Sequence, residues 1–166
     1  MTVEARPPMA EILRRHLRPT LDMLSNVVHS CPDDVWDAAD DTAPIWQQAY
    51  HTLFWLNAWL RDWGHEFEPP AFHTDEARDL VRGATPALTR SQIEDYMGQV
   101  YLGCASYLDA LPAESLTEET TAFGQKWTVA DRIVLQIRHV QHHVGSMHSI
   151  LKRKTGKAPG WLGFNE

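Results

Sequence analysis

The segment TVADRIVLQIRHVQHHVGSMHSILKRKT, residues 128–155, carries the clearest helical pattern of the chain. Thr128 is a good N-cap residue, Asp131 completes a variant of the capping box, and Gly156 follows a basic last turn. The segment is therefore predicted to be one amphipathic helix of about seven turns. Its apolar residues, which recur every three or four positions as one stripe, are Ile133, Ile137, Val140, Val144, Met147 and Leu151.

Three earlier segments have the same periodicity. We predict a first helix over residues 9–30, kinked at Pro19, a second over residues 44–63, and a third over residues 91–111. Four amphipathic helices of this kind predict an all-α fold, a four-helix bundle. We expect the whole chain, residues 1–166, to form this single domain.

The connection between the second and third helices, residues 64–90, is about three times longer than a tight helical hairpin needs. An extended segment of that length can travel back along a helix of about 30 Å. Helices two and three are then parallel, which predicts an up-down-down-up topology. A long loop can also cap an active site, so both interpretations stay open. We expect one short helical turn near residues 75–81.

The other connections give weaker signals. Val35 and Trp36 follow the first helix and are predicted to turn inward. Residues 113–127 are predicted to form a polar loop, and Trp161 and Phe164 to hold the C-terminal tail against the body.

Composition narrows the class of protein. A net charge of −7 argues against a nucleic-acid-binding surface. The most apolar run, residues 53–60, is too short to span a membrane, and residues 1–8 lack the apolar core of a signal peptide. Cys31 and Cys104 allow one disulfide, but their isolation favours free thiols. We therefore expect a cytoplasmic protein.

His139 and His143 lie one turn apart, beside the apolar stripe of the predicted fourth helix. Histidines at this spacing can converge on one metal ion. With nine histidines in the chain, roughly half of one such pair is expected by chance. The spacing alone therefore fits a metal site and ordinary polar residues that flank a core equally well. Their position at the border of the buried face favours a site.

A third ligand is expected from another helix. His51 is the leading candidate because it lies among apolar residues of the second helix, where an imidazole needs a metal or a hydrogen-bond partner. The alternative is a core histidine bonded to a carbonyl or a tyrosine. His16 is a weaker competitor, His142 is predicted to face solvent, and His148 to border the core. Solvated positions are expected for His29, His65 and His73.

Two segments, HTLFWL at residues 51–56 and RHVQHHVG at residues 138–145, resemble the DinB-like (damage-inducible) superfamily of four-helix-bundle metalloproteins. The likeness extends over nearly the whole chain in helix order and in the long middle connection. It implies that His51, His139 and His143 are the metal ligands, and it supports the up-down-down-up topology.

The resemblance also implies a cofactor and partners. Family members bind zinc, nickel or another divalent ion such as iron or manganese, and many form homodimers. Some relatives are thiol transferases that use bacillithiol, and others resemble mycothiol-dependent isomerases. We therefore expect a metal-dependent enzyme that acts on a small molecule or low-molecular-weight thiol, by thiol S-transfer or hydrolysis. The alternatives are a non-catalytic metal-binding or stress-sensing protein, and a structural bundle whose histidines bind nothing.

Three neutral imidazoles leave at least one coordination position open, as in catalytic rather than structural sites. The polar and aromatic neighbours are predicted to contribute bundle polarity, and none is assigned as a general base: Gln47, Trp55, Asp62, Arg132, Gln136 and Ser146. A row of tryptophans on the second helix can line a pocket or a dimer face, although core packing is favoured: Trp55, Trp59 and Trp63.

Overall fold

Helices make up most of the chain. The computed structural model describes residues 8–38, 42–61 and 66–163. Over these residues the α-helices are α1 (Met9–Ser30), α2 (Asp33–Trp36), α3 (Ile45–Trp59), α4 (Asp75–Arg78), α5 (Arg90–Ala110) and α6 (Val129–Thr155). A 3₁₀ turn (Ala113–Thr117) and an antiparallel hairpin of β1 (Glu119–Ala122) and β2 (Gln125–Thr128) lie between α5 and α6.

The ends of α6 follow from its sequence. The hydroxyl of Thr128 accepts a hydrogen bond from the backbone N–H of Asp131, and the Asp131 carboxylate accepts one from the N–H of Thr128, each at 3.0 Å. Gly156 ends the helix in the left-handed conformation, with φ of 76°. The predicted capping box and C-terminal glycine are both confirmed.

Side chains from all four long helices share one hydrophobic core. α6 packs against α1 and α3, and α5 packs against the same two helices. Five of the six predicted stripe positions of α6 are buried, and Ile137 is partly exposed. Among the residues described, no helix is both long and apolar enough to cross a bilayer.

The prediction for residues 113–127 is wrong. They contain the 3₁₀ turn and the hairpin, and they bury Leu116 and Ala122. Phe123 and Gly124 form the two-residue turn with φ of 50° and 74°, both in the left-handed region that a type I′ turn requires. Strands of four residues, rich in threonine and charged side chains, give no hydrophobic alternation from which they can be recognised.

Other local predictions have mixed outcomes. Val35 and Trp36 are buried, and Cys31 and Cys104 are buried free thiols, as predicted. Trp161 is 73% exposed and does not hold the tail, so that prediction is wrong.

The helix boundaries were predicted closely. α1 has the predicted bounds and continues through Pro19 as one helix. α5 is capped by Thr89, two residues before the predicted start. The predicted end of the second helix at residue 63 lies outside the described residues, as does Phe164.

Removing the hydroxyl that caps α6 should destabilise the protein. In Thr128→Ala the N–H of Asp131 loses its acceptor, and we expect the free energy of unfolding to fall by about 1 kcal/mol. Urea denaturation followed by circular dichroism measures this loss. Thr128→Ser keeps the hydroxyl and should lose much less, whereas equal losses in both variants would contradict the capping explanation.

Candidate metal centre

Three imidazoles converge where α3 meets α6. His51 comes from α3, and His139 and His143 come from adjacent turns of α6. One ring nitrogen from each lies within 4.8 Å of the others, and the ring centroids are 4.6 to 5.0 Å apart. The structure therefore brings together all three residues that the sequence singled out.

The spacing of these nitrogens suits a shared ion. The Nε2 atoms of His51 and His139 are 3.0 Å apart. Two nitrogens bound to one zinc ion at about 2.0–2.1 Å, with a tetrahedral angle between them, are separated by about 3.3 Å. The donor set, three imidazoles and no carboxylate, is typical of zinc, nickel, copper and iron sites. These residues fit a divalent transition metal.

A backbone carbonyl fixes the orientation of His51. Its Nδ1 is hydrogen-bonded to the carbonyl oxygen of Arg78, at the end of α4. A carbonyl oxygen only accepts, so Nδ1 carries the proton and the lone pair of Nε2 faces His139. A metal-ligating histidine characteristically donates its second nitrogen to an oxygen in this way.

The segment that supplies this carbonyl is itself held against α3. The completely buried side chain of Gln47 donates to the carbonyls of Glu76 and Val81, each at 3.0 Å. Gln47 lies one turn before His51, so α3 carries both the ligand and the residue that holds its partner in place. Thr74 caps α4 by accepting a hydrogen bond from the Ala77 N–H at 3.1 Å.

Burial keeps the three imidazoles neutral. Desolvation is the largest cause that lowers the pKa of His139 to about 4 and that of His143 to about 3, and the nearby His51 adds to both effects. The pKa of His51 is lowered too, chiefly by burial, although its bond to the Arg78 carbonyl acts in the opposite direction. Near neutral pH all three are in the form that binds metals.

The other histidines lie mostly as predicted. His16, His29 and His142 are exposed, and His148 is half-buried. His65 lies outside the described residues.

His73 was predicted to be solvated, and this is wrong. Its Nδ1 is 2.6 Å from the Tyr50 hydroxyl, and its ring stacks on Phe54 at a centroid distance of 5.0 Å. The irregular connection around it has no periodicity that could have revealed this contact.

An open cleft of about 330 Å³ adjoins the histidines. It is lined by His51, Trp55, Trp59, Phe123, Leu135, Gln136 and His139. Trp59 is buried, as the core interpretation predicted, but it also lines the cleft together with the half-buried Trp55. Phe123 was not singled out from the sequence, because the hairpin that carries it was missed.

The predicted polar neighbours are mostly buried. Gln47, Arg132 and Gln136 are each at most 2% exposed, and Ser146 is half-buried. Gln136 points to the cleft, whereas Arg132 lies outside its lining. Asp62 and Trp63 are outside the described residues.

Comparison with known proteins identifies a family and similar solved structures. The sequence model of the DinB superfamily matches residues 16–147. No curated protein matches the chain. A crystal structure titled as the conserved protein of a locus from Enterococcus faecalis has a TM-score of 0.66 and 16% sequence identity, over 92% of this chain and 100% of that one. At this identity the similarity supports the fold alone.

Acidification should destabilise the metal-free protein. In the unfolded chain these histidines have a pKa of about 6.5 and bind protons below that pH, whereas in the folded protein their lowered pKa values keep them neutral. Stability therefore falls as the pH drops below about 6.5. Urea titrations of chelator-treated protein between about pH 7 and pH 5 measure the slope. His143→Gln removes one such group and should flatten the slope most, whereas His142→Gln, whose charge only adds to the lowering of the pKa values of His139 and His143, should flatten it less. Equal slopes in wild type and His143→Gln would contradict the assignment.

Proposed function

This chain belongs to the DinB superfamily, and we propose that it binds a divalent metal ion through His51, His139 and His143. The observation that carries the proposal is the convergence of three neutral imidazoles, one buried and two half-buried, of which His51 has its tautomer fixed by a carbonyl. Zinc or nickel is the favoured ion, and iron or manganese also suits the family. A divalent ion at such a site supplies Lewis acidity, which lowers the pKa of a bound thiol or water and polarises a carbonyl.

The proposed function is a metal-dependent reaction on a small molecule or low-molecular-weight thiol. The open cleft beside the histidines supports it, since a purely structural zinc site is closed by four protein ligands. In thiol S-transfer the thiol releases its proton to solvent, and its sulfur bonds to an electrophilic carbon. The leaving group then departs with the electron pair of its bond.

The residues of the cleft favour S-transfer over hydrolysis. No carboxylate occurs among the described residues that line it, so a general base for activating water is lacking there. A thiol, being more acidic than water, has less need of such a base. The same observation supports the alternative proposal, a metal-binding or stress-sensing protein without turnover.

The helix contacts support an up-down-down-up four-helix bundle, which we propose as the topology. The start of α1 meets the end of α5, α3 and α5 run side by side, α6 runs against α3, and α1 lies along α6. The contacts are Arg14 with Leu108, Arg90 with Cys31, Asn57 with Tyr96, Cys104 with Leu60, His51 with His139, Trp59 with Trp127, and Gln141 with Thr20. A homodimer and a cytoplasmic location remain predictions.

Metal analysis of untagged protein tests the site. Wild-type protein should retain about one divalent ion per chain, and His51→Ala or His143→Ala should reduce this to near zero because two nitrogens hold a single ion weakly. Plasma mass spectrometry after gel filtration measures the ratio. His142→Ala, an exposed neighbour, is the matched control. Unchanged stoichiometry in both ligand variants would refute the assignment.

A conjugation assay tests turnover. Metal-loaded protein should accelerate the reaction of a low-molecular-weight thiol with monobromobimane, and chelation should abolish the acceleration until zinc or nickel is restored. Bacillithiol, mycothiol and glutathione should be compared as donors, with His143→Ala as the inactive reference. A rate that is independent of metal, or no rate with any thiol, would favour the non-catalytic alternative.

A further inference from the structure

We propose that the cleft beside the three histidines binds a compact small molecule with a neutral, ring-sized apolar body and one short polar head group. The body lies against Trp55, Trp59 and Phe123, and the head group faces the histidines and hydrogen-bonds to Gln136. This inference names the class of ligand for the proposed function. The prediction for the head group depends on the proposed metal centre, whereas the prediction for the apolar body does not.

The walls of the cleft are aromatic and uncharged. The ring of Phe123 lies 5.7 Å from that of Trp55 and 4.9 Å from that of Trp59, between centroids. Trp55 in turn meets the ring of His51 at 6.5 Å. One surface of rings thus leads from the hairpin to the histidines. The described lining residues include no lysine, arginine or carboxylate, so a charged or sugar-like body finds no matching partner.

The size of the cleft limits the ligand. A cavity of about 150 Å³ is enough for benzene. The observed cleft of about 330 Å³ therefore has room for one ring and a short side chain. A larger compound can place only one end of its molecule in the cleft.

Phe123 is an unusual residue for its position in the hairpin. Its φ of 50° is one that glycine or asparagine adopts at lower cost, and its side chain is 63% exposed. The turn geometry therefore does not explain a phenylalanine there. Its contacts with Trp55 and Trp59 at the mouth of the cleft give the ring a role, which is to cover an apolar ligand.

Gln136 provides the polar contact. It is 1% exposed, it lines the cleft, and its Oε1 is buried without a hydrogen-bond partner among the described residues. Because Oε1 is closed off from the cleft, the contact falls to the N–H groups of the same carboxamide, which can donate to the lone pairs of a thiolate or another polar head group. Gln136 precedes His139 by one turn on α6, so its carboxamide and the imidazole can contact the same head group.

Two matched thiols test this inference. 2-Phenylethanethiol and 2-mercaptoethanol share the same head and spacer and differ by a phenyl ring in place of a hydroxyl group. Both are titrated into cobalt-loaded protein, where thiolate binding is followed by its absorption band. The phenyl compound should bind at least about tenfold more tightly, because the cleft removes much of its ring from water. In metal-free protein, saturation-transfer NMR should show contact with the phenyl protons.

Two variants separate the body from the head group. Phe123→Gly suits the left-handed turn, so the hairpin should persist while the tenfold preference for the phenyl compound shrinks. Gln136→Leu should weaken both thiols about equally, and it should not destabilise the protein, because it removes an unpartnered buried atom. Leu102→Ala, which removes an exposed apolar side chain of α5 outside the cleft, is the control.

The outcomes distinguish this inference from the metal centre. Cobalt bound equally well by His51→Ala refutes the metal centre, and the NMR contact then still tests the apolar body. Cobalt loading with equal affinities for the two thiols, or an NMR contact that persists unchanged in Phe123→Gly, overturns the proposal for the body. Unchanged thiol affinity in Gln136→Leu overturns the role of that residue.

Discussion

The candidate site depends on three imidazoles that lie within the contact between α3 and α6. Burial opposes their protonation, so each nitrogen that does not meet a metal must meet a hydrogen-bond partner or remain unpartnered at a cost. His51 meets the Arg78 carbonyl, whereas Nδ1 of His139 has no hydrogen-bond partner in the described part of the chain. Apolar residues at these positions would avoid the cost of desolvating imidazole nitrogens. The proposed role in metal binding accounts for that cost.

This constraint also explains the long connection between α3 and α5. From its length, the segment was interpreted either as a return path between parallel helices or as a cover for a site. The described part of the segment, residues 66–89, contacts α3, where it supplies the backbone carbonyl that orients His51 and is held in place by Gln47. Both interpretations are compatible with the topology proposed above. The loop and the ligand histidine are therefore linked through hydrogen bonds to the same helix.

The sequence predicted what depends on helical periodicity and side-chain type. The bounds of α6 follow from its caps, and the three histidines follow from their type and from their position beside apolar faces. A carbonyl partner for His51 was one of the alternatives drawn from the sequence, and the structure contains it, but its identity as the Arg78 carbonyl could not be predicted, because a backbone group leaves no trace in residue identity. The hairpin was missed because its strands are short and polar, and with it Phe123 was missed. His73 was misjudged because its partner, Tyr50, is distant in sequence.

The candidate site has two parts, the histidines and the cover of the cleft, and the rest of the fold fixes the first more strongly than the second. The histidines lie on long helices, where many buried contacts determine the position of each residue, so substitutions around the cleft should leave the cluster intact. The cover of the cleft lies on a two-residue turn, where a side chain can change with little effect on the core. A fold built in this way can keep one metal centre while its hairpin adapts to different ligands. The proposed metal centre thus rests on histidines of the long helices, whereas the proposed ligand selectivity rests on Phe123 and its tryptophan neighbours.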